Sequence, residues 1–118
     1  MEVRIPATAA RRRLGFEKLA LWEGDFAIAS CALSYRDDGD GSWRDLRIVL
    51  GGLAPVPWRA TAAERAIEGK RPTADALGQL VNAELDRAAH PLKRNGWKLA
   101  AAVGLTENAT QRLLGRMA

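Results

Sequence analysis

Residues 46–60, LRIVLGGLAPVPWRA, form the most constrained stretch of this 118-residue chain. The stretch continues an alternation that begins at Trp43, and a period of two is typical of a strand with one buried and one wetter face. The two predicted faces consist of Arg44, Leu46, Ile48 and Leu50 on one side and Trp43, Asp45, Arg47 and Val49 on the other. Because Trp43 starts this strand, its side chain is expected to be partly exposed.

The second half of the stretch turns a corner. Gly51 and Gly52 allow a close approach of two backbones or a positive φ. Pro55 and Pro57 each remove an N–H donor and fix φ. Residues 56–60 are therefore predicted to be an edge strand or an extended arm.

The chain before this stretch predicts a hairpin. Residues 25–35 alternate small and apolar side chains as a strand does, and residues 36–42, RDDGDGS, form a polar, glycine-rich turn between two antiparallel strands. Residues 14–21 are too few for a helix without tertiary contacts and are predicted to be a turn or short strand. Residues 1–13 are predicted to be an extended arm. The arm ends in three adjacent arginines, which form either a solvated junction or a contact with an anion or another subunit.

Three helices are predicted after the corner. Thr61 and Glu64 have the spacing of a capping box, and Gly69 ends the first helix. Thr73 is the predicted N-cap of the second helix, whose apolar stripe comprises Leu77, Leu80, Val81 and Leu85. The third helix is predicted over residues 95–117.

Taken together, these patterns predict an α+β fold. The chain is short enough for one domain, residues 1–118, and long enough to bury a core. We expect a small antiparallel sheet of about three strands packed against three helices that cover one of its faces.

Charge and cysteine content exclude several classes of protein. The 18 basic residues are spread along the chain and are balanced by 14 acidic ones, which argues against a nucleic-acid partner. A single cysteine, Cys31, excludes a disulfide framework within the chain and favours a cytoplasmic location. No apolar run approaches the roughly 20 residues that a membrane span requires, so no membrane partner is expected.

The sequence contains no recognisable catalytic or metal-binding set. His90, the only histidine, lies before a proline and lacks a second ligand or an adjacent nucleophile. No Ser-His-Asp or Cys-His pattern and no glycine-rich phosphate loop can be assembled. We therefore expect no catalytic activity and no metal site from this chain alone.

Two blocks of sequence carry a resemblance to a known family. Residues 51–60, GGLAPVPWRA, are followed by AERAIEGK at residues 63–70, and GFEKL at residues 15–19 is followed by GDFAIA at residues 24–29. These blocks resemble the C-terminal domain of the FAD-binding (medium) subunit of the molybdenum hydroxylase family, which includes the carbon monoxide and xanthine dehydrogenase flavoproteins. The resemblance is good over residues 8–90.

The resemblance implies one candidate cofactor contact. In the family, the lysine at the position of Lys18 lies near the flavin. The family then has arginines at three positions where this sequence has Leu21, Trp22 and Glu23. That departure removes donors suited to phosphate or carboxylate. In these enzymes a larger preceding domain holds most of the FAD, so no cofactor is expected to bind this chain alone.

The resemblance also implies a function. We expect a small non-catalytic subunit, or a split flavoprotein domain, that docks against the FAD-binding domain and the iron-sulfur and molybdopterin subunits of an oxidoreductase complex. The alternative is a stand-alone interaction module, either an adaptor or a homo-oligomer such as a homodimer, that has lost the flavin context. Trp and Arg are frequent interface anchors, so Trp22, Trp58 and Arg59 are the predicted interface residues.

Overall fold

The computed structural model describes residues 2–20, 29–37, 39–52, 57–88 and 96–116. The elements in chain order are α1 (Ala7–Ala10), β1 (Arg13–Leu19), β2 (Ala29–Asp37), β3 (Trp43–Gly51), β4 (Trp58–Arg59), α2 (Thr61–Ile67), α3 (Ala74–Ala88) and α4 (Gly96–Arg116). Within the arm predicted over residues 1–13, the described part contains the single turn of α1 and, at Arg13, the start of β1.

The four strands form one antiparallel sheet in the order β1-β2-β3-β4. Helix α4 packs on β1 and β2, α3 packs on α4, and α2 packs beside β3. The predicted α+β class is confirmed. The sheet has four strands rather than about three, because β1 pairs along its whole length with β2. Strand β1 overlaps the segment, residues 14–21, that was predicted to be a turn or short strand. Gly15 allows α4 to pack closely on β1, since a Cβ atom at this position would lie 2.9 Å from Leu113 Cδ1 of α4.

The predicted hairpin is also confirmed. Two aspartate side chains accept hydrogen bonds from the backbone of the turn. Gly39 N–H donates to Asp37 Oδ1 and Ser42 N–H donates to Asp40 Oδ1, both at 2.8 Å. Such local bonds are the reason that aspartate favours turns. These two hydrogen bonds thus stabilise the turn that joins β2 to β3.

A β-bulge interrupts the pairing of β2 with β3. Ser34 pairs with Arg47 and Arg36 pairs with Arg44, so Tyr35 is opposed by two residues, which are Asp45 and Leu46. Asp45 has a φ of 51°, a left-handed conformation that aspartate tolerates better than most residues. The extra residue reverses the side to which the preceding part of β3 points.

The expectation that Trp43 is partly exposed is wrong, and the bulge is the reason. Because of the reversal, Trp43 shares the helix-facing side with Leu46, Ile48 and Leu50 and is completely buried rather than partly exposed. Its ring stacks on Tyr35, with centroids 4.1 Å apart and planes 5° apart. The stack forms one end of the core. The other fully buried members include Cys31, Leu33, Ile48, Leu50, Leu77, Val81, Ala102 and Ala109.

Backbone groups along the outer edge of β3 are satisfied by the segment that contains α2. Ala60 N–H donates to the Ile48 carbonyl at 3.0 Å, and Ile48 N–H donates to Glu64 Oε1 at 2.9 Å. Further along, Asp45 N–H donates to Glu68 Oε2 at 2.9 Å. The carboxylates of Glu64 in α2 and of Glu68 just after it therefore replace strand partners that the two-residue β4 is too short to supply.

The same arrangement shows that the predicted capping box is wrong. Helix α2 starts at Thr61, but its N-terminus has no side-chain cap from Thr61, and Glu64 bonds to β3 instead. The orphan N–H groups of Ala62 and Ala63 donate to Glu84 of α3, both at 3.0 Å. A carboxylate at a helix N-terminus satisfies these donors and interacts favourably with the helix dipole.

The remaining helix predictions agree with the structure. Ala76 N–H donates to the Thr73 hydroxyl at 3.1 Å, which confirms the N-cap of α3. Leu77, Val81 and Leu85 are buried and Leu80 packs partly against the core. No helix in the described part of the chain combines the length and apolar character that a membrane crossing requires.

Candidate interaction surface

One face of the sheet turns away from the helices. We call it the open face and define it by the outward residues of the four strands: Leu14, Phe16 and Lys18 of β1; Ser30, Ala32 and Ser34 of β2; Arg47, Val49 and Gly51 of β3; and Arg59 of β4. Helix α4 contacts the opposite face, where Gly15 meets Leu113 and Cys31 meets Thr106. The open face is therefore the side of the sheet opposite α4.

The open face carries large apolar side chains on β1. Leu14 is 61% exposed and Phe16 is 54% exposed, although both belong to a regular strand. Their cross-strand neighbours, Ser34 and Ala32, are too small to cover them. Val3 and Ile5 of the N-terminal segment are also exposed. An exposed patch of this kind is typical of a surface that another protein covers.

Two predicted site residues lie on this open face. Lys18 pairs with Ser30, which pairs with Gly51, and Arg59 pairs with Val49, which pairs with Ala32 next to Phe16. Since neighbouring strands lie about 4.8 Å apart, Arg59 and Phe16 are separated by roughly 14 Å across the sheet. The open face thus brings the candidate flavin contact and one candidate interface residue onto the same surface.

The two predicted tryptophans are placed differently. Trp58 pairs with Leu50, so it lies on the helix-facing side, where it is half-buried against the core. The predicted interface role of Trp58 remains a prediction. Trp22 lies outside the described residues.

Arg59 has a structural role on the edge of the sheet. Its Nε donates to Glu64 Oε1 at 2.8 Å and its Nη2 donates to Glu64 Oε2 at 2.8 Å, a bidentate pair. The hydrogen bonds to Glu64 raise the pKa of the Arg59 guanidinium above its ordinary value. Arg59 of the block GGLAPVPWRA and Glu64 of the block AERAIEGK therefore have a structural role, because their ion pair ties α2 to the edge of the sheet.

A groove lined by arginines lies beside the bulge, at one end of the open face. We call it the arginine groove; its volume is 490 Å³ and its lining residues are Thr8, Arg12, Arg36, Asp45 and Arg47. Arg12 donates to Asp45 Oδ2 at 2.7 Å and to the Ser34 carbonyl at 2.9 Å, and it also donates to the Asp45 carbonyl. Among the three adjacent arginines, the middle one therefore holds the bulge.

The sequence did not single out several residues of this surface. Phe16 fell within a segment that carried no strand pattern of its own, and Asp45 and Arg47 belonged to an ordinary alternation. The run of arginines was a signal for an anion or subunit contact, but it did not show which arginine would contact the sheet.

The Cys31 side chain is buried between β2 and α4 and is not available as a nucleophile. Its Sγ lies 3.5 Å from the Thr106 hydroxyl. Burial raises the pKa of the Cys31 thiol from 9.0 to about 11, an effect that the hydrogen bond with Thr106 reduces and the negative charge of Glu17 increases. In the described part of the chain, no group of three His, Cys, Asp or Glu residues is placed to hold a metal ion.

The raised thiol pKa predicts a loss of stability at alkaline pH. The unfolded thiol ionises near pH 9 while the folded thiol stays protonated to about pH 11, so the folded state binds more protons in this window and stability falls as pH rises through it. The full contribution is about 2–3 kcal/mol. We expect urea unfolding of Cys31→Ala to show a shallower decline between these pH values than the unmodified protein. Equal slopes would contradict the prediction.

Comparison with known proteins places this chain among flavoprotein domains. A family model described as the CO dehydrogenase flavoprotein C-terminal domain matches residues 15–113. The carbon monoxide dehydrogenase medium chain of Hydrogenophaga pseudoflava is 32% identical over 85 residues, which are 72% of this chain and 29% of that relative. The chain thus spans less than a third of the length of that relative.

Solved structures show the same fold. Carbon monoxide dehydrogenase from Hydrogenophaga pseudoflava, in a form that lacks the Mo-pyranopterin moiety of the molybdenum cofactor, is 33% identical with a TM-score of 0.75 over 95% of this chain and 40% of that chain. Quinoline 2-oxidoreductase from Pseudomonas putida 86 has a TM-score of 0.75 at 21% identity over 98% of this chain and 40% of that chain. The latter similarity concerns the fold alone.

Proposed function

Because this chain belongs to the CO dehydrogenase flavoprotein C-terminal domain family, we propose that it is a small non-catalytic subunit, or a split flavoprotein domain, of a molybdenum-hydroxylase-type oxidoreductase complex. In this proposal, the chain docks against the FAD-binding domain and against the iron-sulfur and molybdopterin subunits. The matched relative is a chain of a carbon monoxide dehydrogenase, and the similar solved enzyme is a form of carbon monoxide dehydrogenase described by its lack of the Mo-pyranopterin moiety of the molybdenum cofactor. The redox chemistry belongs to the partners.

The observation that carries this proposal is the exposure of Leu14 and Phe16 on the open face. Each side chain leaves more than half of its surface in water at a fixed position of a strand. Covering such side chains is favourable by about 25 cal/mol per Å² of apolar area. The FAD-binding domain is the proposed cover, because this chain matches only 29% of the length of the medium chain, and we place that domain in the part of such a chain that is not matched.

Lys18 has a defined place in this proposal. It shares the open face with Phe16, so a domain that covers Phe16 also comes close to the Lys18 side chain. The proposed role of Lys18 is to approach a flavin that the partner holds. Its positive charge would favour the reduced, anionic form of a flavin more than the neutral oxidised form.

Two observations test the proposal. The purified chain should be colourless, because the FAD is bound by the partner, and a chain with stoichiometric flavin absorbance would contradict this division of roles.

A tagged chain expressed in its native host should co-purify with a FAD-binding polypeptide and with iron-sulfur and molybdopterin subunits, as identified by mass spectrometry. Recovery of the chain with none of these would argue against the complex.

The alternative function, a stand-alone homodimer, is favoured by a different observation. Within the described strands, β1 pairs only with β2, so its second edge has backbone groups that a strand from another chain can pair with. In that case the purified chain is dimeric by sedimentation. A monomer that assembles only with the oxidoreductase subunits supports the first function.

A further inference from the structure

We propose that the arginine groove, formed by Thr8, Arg12, Arg36, Asp45 and Arg47, binds the phosphate group of a small phosphorylated ligand. This site adjoins Leu14 and Phe16 on the open face, to which Arg47 belongs, but the proposal does not rest on their docking role. Its ligand is accordingly tested on the isolated chain, so either proposal can fail without the other.

The dimensions of the groove suit a small molecule. Its volume of 490 Å³ lies inside the range of about 300–1,000 Å³ that is common for small-molecule sites. The walls come from three parts of the chain, with Thr8 in α1, Arg36 in β2 and Arg47 in β3. A phosphate group placed here would meet donors that converge from different directions.

The charge of the lining selects phosphate over a single carboxylate. The lining residues carry three guanidinium groups and one carboxylate, so positive charge predominates among them. The Asp45 carboxylate is already paired, because Arg12 Nη1 lies 2.7 Å from Oδ2 and Arg47 Nη2 lies 3.0 Å from Oδ1. A phosphate monoester carries a charge of about −1.5 to −2 at neutral pH and so interacts more strongly with guanidinium groups than one carboxylate does.

The floor of the groove is held in place before any ligand arrives. The Arg12 side chain is only 16% exposed and is fixed by bonds to both Ser34 and Asp45, including Nε to Ser34 Oγ at 3.0 Å. Asp45 is itself fixed in the bulge. A fixed guanidinium loses little further conformational freedom on binding, and this pre-organisation favours affinity.

The outer arginines are the groups that a ligand would engage. Arg47 is 44% exposed, and its guanidinium forms an ion pair with Asp45. Arg36 is exposed on the neighbouring strand. Guanidinium donors match phosphate oxygens in bidentate geometry, which lysine cannot reproduce.

The test is a pair of titrations followed by NMR of the arginine side-chain Nε–Hε groups. Phenyl phosphate and benzoate share a ring and differ in the charged group, so they separate a phosphate site from a general anion site. We expect saturable shifts of the Arg36 and Arg47 signals with phenyl phosphate and affinity about tenfold weaker for benzoate, since bonds between charged groups are strong and phosphate makes more of them.

Matched variants decide whether the groove is responsible. Arg36→Ala combined with Arg47→Ala should weaken phenyl phosphate binding by about tenfold or more, whereas Arg65→Ala, which removes an exposed charge on α2, should leave the affinity unchanged. Circular dichroism checks that each variant is folded. Equal binding of the two anions, equal affinity in the double variant, equal losses in all variants or the absence of saturable shifts would each overturn the proposal.

Discussion

Replacing Trp43 by alanine is expected to lower the free energy of unfolding by about 3–5 kcal/mol. The indole is completely buried and stacks on Tyr35 at 4.1 Å, so the variant loses both the burial of the ring and the contact between the two aromatic faces. Domains of this size are stabilised by only about 5–15 kcal/mol, so the loss is a large part of the total. Urea unfolding followed by far-ultraviolet circular dichroism measures it.

Trp43→Phe is the matched control. The Trp43 Nε1 donor is buried and has no hydrogen-bond acceptor among the described residues. Phenylalanine retains an aromatic ring beside Tyr35 and removes this unpaired donor, so its loss of stability should be less than half of that of the alanine variant. A loss below about 1 kcal/mol for Trp43→Ala would contradict the burial of Trp43, since truncation of a buried aromatic costs more than this.

The second large effect is expected at Glu64. This carboxylate is buried, accepts from Ile48 N–H at 2.9 Å and from the Arg59 guanidinium, and so joins α2 to the edge of β3. Glu64→Ala leaves the Ile48 N–H without its acceptor in a buried position, and the expected loss of unfolding free energy is about 2–3 kcal/mol. Hydrogen exchange should show the same site, with faster exchange of the Ile48 amide.

Two further variants separate the contributions at Glu64. Glu64→Gln retains an acceptor for Ile48 N–H, so its loss should be smaller than that of Glu64→Ala. Arg59→Met removes the cation and leaves the Ile48 hydrogen bond intact, so the Ile48 amide should stay protected. If Glu64→Gln and Glu64→Ala were equally unstable, the Ile48 hydrogen bond would not be the important contact.

Much of the fold follows from local sequence. Alternation predicted β2 and β3, the polar turn predicted their hairpin, and the apolar stripe of α3 predicted its buried side. Each of these signals depends on residues that are neighbours in the chain. The antiparallel sheet with helices on one face then follows, because amphipathic elements bury their apolar sides against one another.

The errors arise where distant residues compete with local ones. The spacing of Thr61 and Glu64 is that of a capping box, yet Glu64 is engaged by β3 and Glu84 of another helix caps α2 instead. Trp43 was expected to be partly exposed because it starts a strand, but the bulge at Asp45 turns its side chain toward the core. Nothing in the local sequence marks that bulge, since Asp45 is held there by Arg12, which is 33 residues away in the chain.

The candidate surface could be predicted only in part. The resemblance supplied Lys18, and the structure places it on the open face together with Arg59. The exposed Phe16 was not predicted, because a short apolar segment does not show by itself whether its side chains face a core or water. The arginine groove required the tertiary placement of Arg12 against the bulge.

The most direct test of the docking proposal is the FAD captured by a tagged chain from extracts of its native host, compared between the unmodified protein and Phe16→Glu. Phe16 is exposed, so the variant should fold normally while its new charge disfavours covering of the open face. Arg65→Glu on α2 is the control for a change in charge elsewhere. We expect FAD to be captured by the unmodified chain and the control and lost with Phe16→Glu. Equal FAD capture by all three folded proteins, or capture by none, would contradict docking through the open face.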